Sequence, residues 1–312
     1  MVAGEDRTMP RGYEGELYIL AFDHRGSFQK KLLGIAGTPT AEEAVRITDA
    51  KQVIFEGFLR ALEDGAPRDA GGLLVDEQYG AEVARRARSE GVIFAMPVEK
   101  SGQDEFDFEY GDEFGKHIEE FDPAFAKVLV RLNPESDTEM NAAQIVRLRE
   151  LSEWLHERDR RFLFELLVPA EPHQLEAVGG DEDRFDRELR PELMLRAIES
   201  LQGGGVEPDV WKIEGLHARE DCERVSALVR SGGRDGVACV VLGRGADQAA
   251  VDHWLKQGAG VPGYVGFAIG RTIWWDPLKE YLDASLSRED AAGRISENYR
   301  RFIDVYRAGP PG

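Results

Sequence analysis

Residues 209–215 read Asp-Val-Trp-Lys-Ile-Glu-Gly, a short apolar run with a lysine at its centre and a glycine at its end. Near-continuous apolar character, rather than strict alternation, marks a strand of a parallel sheet covered on both faces. Residues two apart in a strand share a face, so Lys212 and Glu214 point one way and Ile213 the other. If Ile213 packs against outer helices, Lys212 faces the interior of the sheet, where an ammonium needs a reason to be.

Working outward, runs of the same kind recur at 17–23, 71–77, 92–98, 125–132, 162–168, 237–243 and 264–270. Segments with apolar residues three or four apart follow them, at 41–64, 79–90, 112–121, 138–159, 189–202, 219–231, 246–258 and 290–307. Strand and helix alternating eight times imply an α/β fold, a single (β/α)8 TIM barrel over residues 1–312. Residues 1–14 read as an N-terminal extension and 309–312 as a tail that frays. Two doubly wound domains would be the alternative, but no Pro-, Gly- or Ser-rich linker separates them; Gly203–Gly205 reads as a helix stop.

Composition narrows the partners. A formal net charge of −20 argues against nucleic acid, which is bound through basic patches, and requires any anionic substrate to find a locally basic pocket. The longest apolar runs, about six residues at 17–22 and 237–242, are too short to cross a membrane. Met1 to Arg7 carry both charge signs without the apolar stretch of a signal peptide. Cys222 and Cys239 lack metal-ligand spacing, so a reduced cytoplasm fits. The six histidines show no HxH or HExxH spacing, and neither metal nor cofactor is expected; only His24 and His217 fall near strand ends.

Barrel enzymes place chemistry at the C-terminal ends of the strands. There this chain carries Asp23, His24 and Arg25, then Val75-Asp76-Glu77, Pro97-Val98-Glu99-Lys100, Lys127 with Arg131, Glu165, and Lys212 with Glu214. Lys127, Leu129 and Arg131 share one face, so strands four to six aim charged groups into one cavity. A buried lysine loses its proton more readily and can attack a ketone to form a Schiff base. A second ammonium, Lys127, would promote this, and Glu165 could shuttle protons. The plainer readings are that Lys212 snorkels from a strand end or pairs with Glu214, that Glu165 neutralises a buried lysine, and that Asp23 fixes His24 and Arg25. Gly243-Arg244-Gly245 and Gly270-Arg271-Thr272 follow strands seven and eight, where barrels bind phosphate through loop amides and arginine; as isolated motifs they are also plain turns. His24, Arg25, Lys100 and Arg131 complete the expected substrate-binding set. Trp274 and Trp275 fit either a subunit interface of a homo-oligomer or packing under the barrel rim.

Nearly the whole chain resembles the class I, Schiff-base aldolases of the tagatose-1,6-bisphosphate aldolase type. The matching stretches are AFDHRGSFQK (21–30), GLLVDEQYG (72–80), PVEKSG (97–102), AKVLVRLNP (126–134), FLFELLVP (162–169), VWKIEG (210–215) and GFAIGRTIW (266–274). It looks closer still to the domain fused to the C-terminus of 5-dehydro-2-deoxygluconokinase in bacterial myo-inositol breakdown. The resemblance implies cleavage of a phosphorylated sugar, with 2-deoxy-5-keto-gluconate 6-phosphate as one candidate, and a functional link to a sugar kinase. It places the Schiff-base lysine at Lys212, the second active-site lysine at Lys127, the acid/base glutamate at Glu165 and the phosphate grip at Gly270 and Arg271. The chain departs from the pattern at His24, where glutamine is expected, and at Gly243-Arg244-Gly245, which replaces a less charged loop. An isomerase or epimerase using Glu165 and His24, and a non-catalytic sugar-phosphate sensor, are the competing classes.

Overall fold

The computed structural model describes residues 11–309. Its strands are β1 (Leu17–Ala21), β2 (Gly71–Leu74), β3 (Ile93–Pro97), β4 (Phe125–Arg131), β5 (Arg161–Leu167), β6 (Val210–Glu214), β7 (Ala238–Leu242) and β8 (Tyr264–Ile269). They pair in parallel in chain order, and β8 returns to β1 to close the barrel. Each begins within one residue of its expected start, and most stop short of the polar residues at their ends, which turn away into loops.

Around the barrel lie α1 (Ala41–Glu63), α2 (Glu77–Ser89), α3 (Phe114–Phe121), α4 (Thr138–His156), α5 (Pro172–Ala177), α6 (Glu182–Glu188), α7 (Arg190–Gly203), α8 (Arg219–Val229), α9 (Gln248–Gly258), α10 (Arg271–Leu282) and α11 (Arg288–Arg307). Eight helices were expected; α5, α6 and α10 are additions. The first two fold as short polar pieces between β5 and α7. The third follows β8 directly, so the helix expected at 290–307 is the second one after β8. Among the described residues, no helix is long and apolar enough to cross a membrane.

Alternation along the strands sorts side chains as the parity argument requires. Leu17, Ile19, Leu74, Phe125, Leu163, Val210 and Val240 fill the lower barrel interior. Their neighbours, including Val128, Phe164, Trp211 and Ile213, belong to the larger core between strands and helices. Two residues beyond this apolar floor, on the same faces, stand Lys127, Glu165 and Lys212; Glu165 is directly paired with Lys212 in the β5–β6 register. The floor is closed from below by the start of the described chain: Gly12 N donates to Asp209 Oδ1 at 2.7 Å, Tyr13 N to Gly236 O at 3.0 Å, and the Tyr13 ring packs on Phe125. The remainder of the expected extension (1–10), and the tail at 310–312, lie outside the described residues.

Closure between β1 and β8 depends on Gly266. It pairs with Leu17, and a Cβ there would lie 1.9 Å from the Leu17 carbonyl oxygen, so no side chain fits unless the two strands part. Gly266→Ala should lower the unfolding free energy by about 3 kcal/mol, the upper part of the range for point substitutions; a urea midpoint equal to wild type would contradict this account.

Candidate active site

A cavity of about 810 Å³ opens at the C-terminal end of the barrel, within the range of small-molecule sites. Lining it are Asp23, His24, Arg25, Lys100, Lys127, Arg131, Glu165, Lys212, Gly243, Arg244, Gly245, Gly270 and Arg271, whereas Thr272 does not reach it. At its base is a charge cluster drawn from five strands and the loops after them. Lys127 Nζ lies 2.9 Å from Asp23 Oδ2, 2.9 Å from Glu99 Oε1 and 3.0 Å from Glu165 Oε2. Lys212 Nζ donates to that same Glu165 oxygen at 2.9 Å. Both lysines are at least 97 % buried.

Several of the plainer readings are thereby resolved. Lys212 does not snorkel and does not pair with Glu214. Glu214 instead accepts from Val168 N at 2.9 Å and faces Arg190 and Arg244 at 3.4 and 3.1 Å. Asp23 grips Lys127 rather than Arg25, and its nearest approach to the His24 ring nitrogen is 3.9 Å. Arg25 turns to the loop after β3, donating to Glu109 Oε2 at 2.7 Å and to the Glu99 carbonyl at 2.6 Å. It holds the loop that carries Glu99 against the cluster. Glu165 does neutralise buried lysines, and because it touches two of them it also connects them.

The electrostatics follow from burial set against these contacts. Burial alone would lower the Lys127 pKa, but Asp23, Glu165 and Glu99 outweigh it and hold that lysine well above its usual value. Burial would likewise raise Asp23, yet Lys127, His24 and Lys212 hold it below the usual carboxylate range. Glu165 is also lowered, with Lys127 and Lys212 overcoming its burial. Glu99 goes the other way: burial outweighs Lys127 and Arg25 and its pKa is raised. Lys127 is thus an anchored cation among three carboxyl groups, whereas Lys212, among the described residues, ion-pairs with Glu165 alone.

The loop after β1 is set from behind by charges whose role was not legible in sequence. Lys51 on α1, fully buried, ion-pairs with Asp76 and donates to the carbonyls of Phe22 (2.7 Å) and His24 (3.2 Å). Asp76 also caps α2 by accepting from Tyr79 N at 2.9 Å. The Val75-Asp76-Glu77 end of strand two therefore braces the site without lining the cavity. Trp274, wholly buried, donates its indole N–H to Ala21 O at 2.9 Å and stands edge-on to His24, which settles its position under the rim.

The β7 and β8 ends form a second cationic region. Arg244 adopts a left-handed backbone (φ 51°), between Asp186 at 2.6 Å and Glu214 at 3.1 Å. Arg271, first residue of α10, donates to the Arg244 carbonyl at 2.7 Å. A Cβ on Gly245 would lie 2.4 Å from the Arg271 guanidinium, so glycine there is what lets the arginine lie across the loop. Burial lowers the Arg271 pKa against the pull of Glu165. Arg131 donates to Gln103 O at 2.9 Å, and Lys100 stands exposed at the rim. With Lys30 and Lys31, also at the mouth, they give an acidic protein a locally basic entrance. Among the described residues no group of three or more His, Cys, Asp or Glu is arranged to hold a metal ion.

His24 has its pKa pushed down to about 4 by burial, and by the Arg271, Lys212 and Lys51 charges, against the opposing pull of Asp23. A histidine whose native value lies below its ordinary 6.5 takes its proton first in the unfolded chain, so stability falls as the pH drops from about 6.5 to about 4 and this contribution is complete below that. His24→Gln should lose less stability than wild type across this window in urea titrations; parallel curves would show that His24 is not held neutral.

The fold is shared with an aldolase. Fructose-bisphosphate aldolase from Plasmodium falciparum, solved in complex with TRAP and a small-molecule inhibitor, superposes with a TM-score of 0.65 over 96 % of this chain and 92 % of that one, at 14 % identity. At that identity the likeness is one of fold. The chain belongs to the family described as uncharacterized protein conserved in bacteria (DUF2090), whose model matches residues 6–309. No curated protein sequence matches the chain.

Proposed function

We propose that the protein is a class I aldolase that cleaves a phosphorylated keto sugar or sugar acid through a Schiff base on Lys212, with no metal ion required. The observation that carries this reading is the single Glu165 oxygen within 3.0 Å of both Lys127 and Lys212. Glu165 takes a proton from the Lys212 ammonium, and the freed amine attacks the substrate ketone. Glu165 then returns the proton to the carbinolamine hydroxyl, which leaves as water. Lys127, held charged, keeps both carboxylates in place. Asp23, on the far side of Lys127, receives the proton of the hydroxyl β to the iminium as the carbon–carbon bond breaks. The Arg244–Arg271 region and the basic mouth receive phosphate and any second acidic group. The candidate substrate is 2-deoxy-5-keto-gluconate 6-phosphate, giving dihydroxyacetone phosphate and malonate semialdehyde in a cytoplasmic pathway linked to a sugar kinase.

One observation favours a second reading. The neutral His24 leaves Nδ1 buried without a hydrogen-bond partner, which suits a proton-transferring isomerase with Lys212 as an electrostatic clamp. Borohydride reduction with dihydroxyacetone phosphate, followed by peptide mapping, should find a covalent adduct on Lys212. Lys212→Arg should lose at least a thousandfold in turnover; a variant that keeps measurable activity and a wild type without adduct would together favour the isomerase.

A further inference from the structure

Glu99, at the end of strand three, carries no assigned role in the sequence reading, yet it stands in the cluster. Its side chain is about nine-tenths buried and lines the cavity. Oε1 accepts from Lys127 at 2.9 Å, while Oε2 is buried with no hydrogen-bond partner. A buried carboxylate oxygen without a donor is costly. The cost disappears if that oxygen carries a proton, or if a ligand in the cavity supplies a donor. Charge balance points the same way even with Arg25 counted, which lies 4.0 Å from Glu99 Oε1 and 2.7 Å from Glu109: Asp23, Glu99, Glu165 and Glu109 set four carboxyl groups against the three cations Lys127, Lys212 and Arg25. One proton on one carboxyl makes the buried set neutral.

We infer that Glu99 is a catalytic residue of this centre: the acid that delivers a proton to carbon after the carbon–carbon bond has broken. This rests on the aldolase reading above. Cleavage leaves an enamine on Lys212. The Glu99 O–H bond breaks as a C–H bond forms at the enamine carbon, and the enamine electron pair regenerates the iminium, which water hydrolyses to release the ketone. Glu99 is then a carboxylate and Asp23 holds the proton of the former hydroxyl. Lys127 Nζ, hydrogen-bonded to both at 2.9 Å, passes one proton to Glu99 while taking one from Asp23, restoring the starting state without an outside acid. The opposed pKa directions of Asp23 and Glu99, lowered and raised around one shared lysine, suit the base and acid of such a pair.

The test is exchange of a substrate carbon-bound hydrogen with solvent. Wild-type protein and Glu99→Gln, the latter checked for native circular dichroism, are incubated with dihydroxyacetone phosphate in D2O and followed by proton NMR. Parallel samples are trapped with borohydride. Glu99→Gln should still form the Lys212 adduct but exchange at least about 100-fold more slowly, the scale of a lost general acid; Glu99→Asp should recover part of the rate. Exchange within threefold of wild type, or loss of the adduct in a folded Glu99→Gln, would overturn the assignment. If wild type itself forms no adduct, the aldolase reading is what fails. Carbon-13 carboxyl NMR of glutamate-labelled protein then decides the protonation of Glu99: the resonance missing from Glu99→Gln should titrate above ordinary glutamates, and one titrating at or below them would overturn it.

Discussion

Everything at the top of this barrel is arranged around one oxygen atom, Glu165 Oε2, and the two buried lysines that share it. Two ammonium groups cannot be kept beside each other in a dry interior unless carboxyl groups stand between and behind them. The structure meets that condition with Glu165 between the lysines, Asp23 and Glu99 behind Lys127, and Arg25 fixing the backbone that presents Glu99. The Lys51–Asp76 pair in turn fixes the backbone that presents Asp23, from a position wholly outside the cavity.

This layering explains which parts of the site were legible in the sequence. Strand positions could be read because parallel strands covered on both faces are apolar throughout, and side-chain direction followed from the two-residue repeat; this put Lys127, Glu165 and Lys212 in one cavity. Partners were not legible. Lys51 and Asp76, or Lys127 and Asp23, are far apart in the chain, and a charged residue in a helix such as α1 reads as solvent-facing until the neighbouring strand end is in view. Glu99 was passed over for its neighbour Lys100 for a related reason: the strand ends at Pro97, and beyond it parity no longer tells which residue turns inward. The helices that escaped notice are short and polar (α5, α6) or rich in tryptophan with an internal proline, Pro277 (α10), so neither type shows a clear helical stripe.

The two departures from the aldolase pattern also acquire a physical meaning. His24 sits against Trp274 and several cations, and in that setting the ring is neutral where a glutamine would offer an amide. Arg244 is held by Asp186, from an inserted helix, and by Glu214, so an incoming anion meets an arginine already in carboxylate company. An anion bound there would have to exchange ionic partners with Asp186 and Glu214, which would discriminate by charge density and geometry more sharply than a bare arginine.

The pairing of Leu17 with Gly266 has a consequence for how the molecule comes into being. The first and last strands are neighbours in space although nearly the whole polypeptide lies between them, and Tyr299 of α11 reaches back to the carbonyl of Tyr18. During synthesis β1 therefore waits with one edge unpaired until β8 has left the ribosome, and such long-range closure is slow. The charges obey the same schedule, because Asp23 emerges early, Lys127 midway and Lys212 late. Until Lys212 arrives, Asp23, Glu99 and Glu165 have only the Lys127 ammonium among them and stay hydrated, so drying of the interior and completion of the charge cluster become one late event in folding.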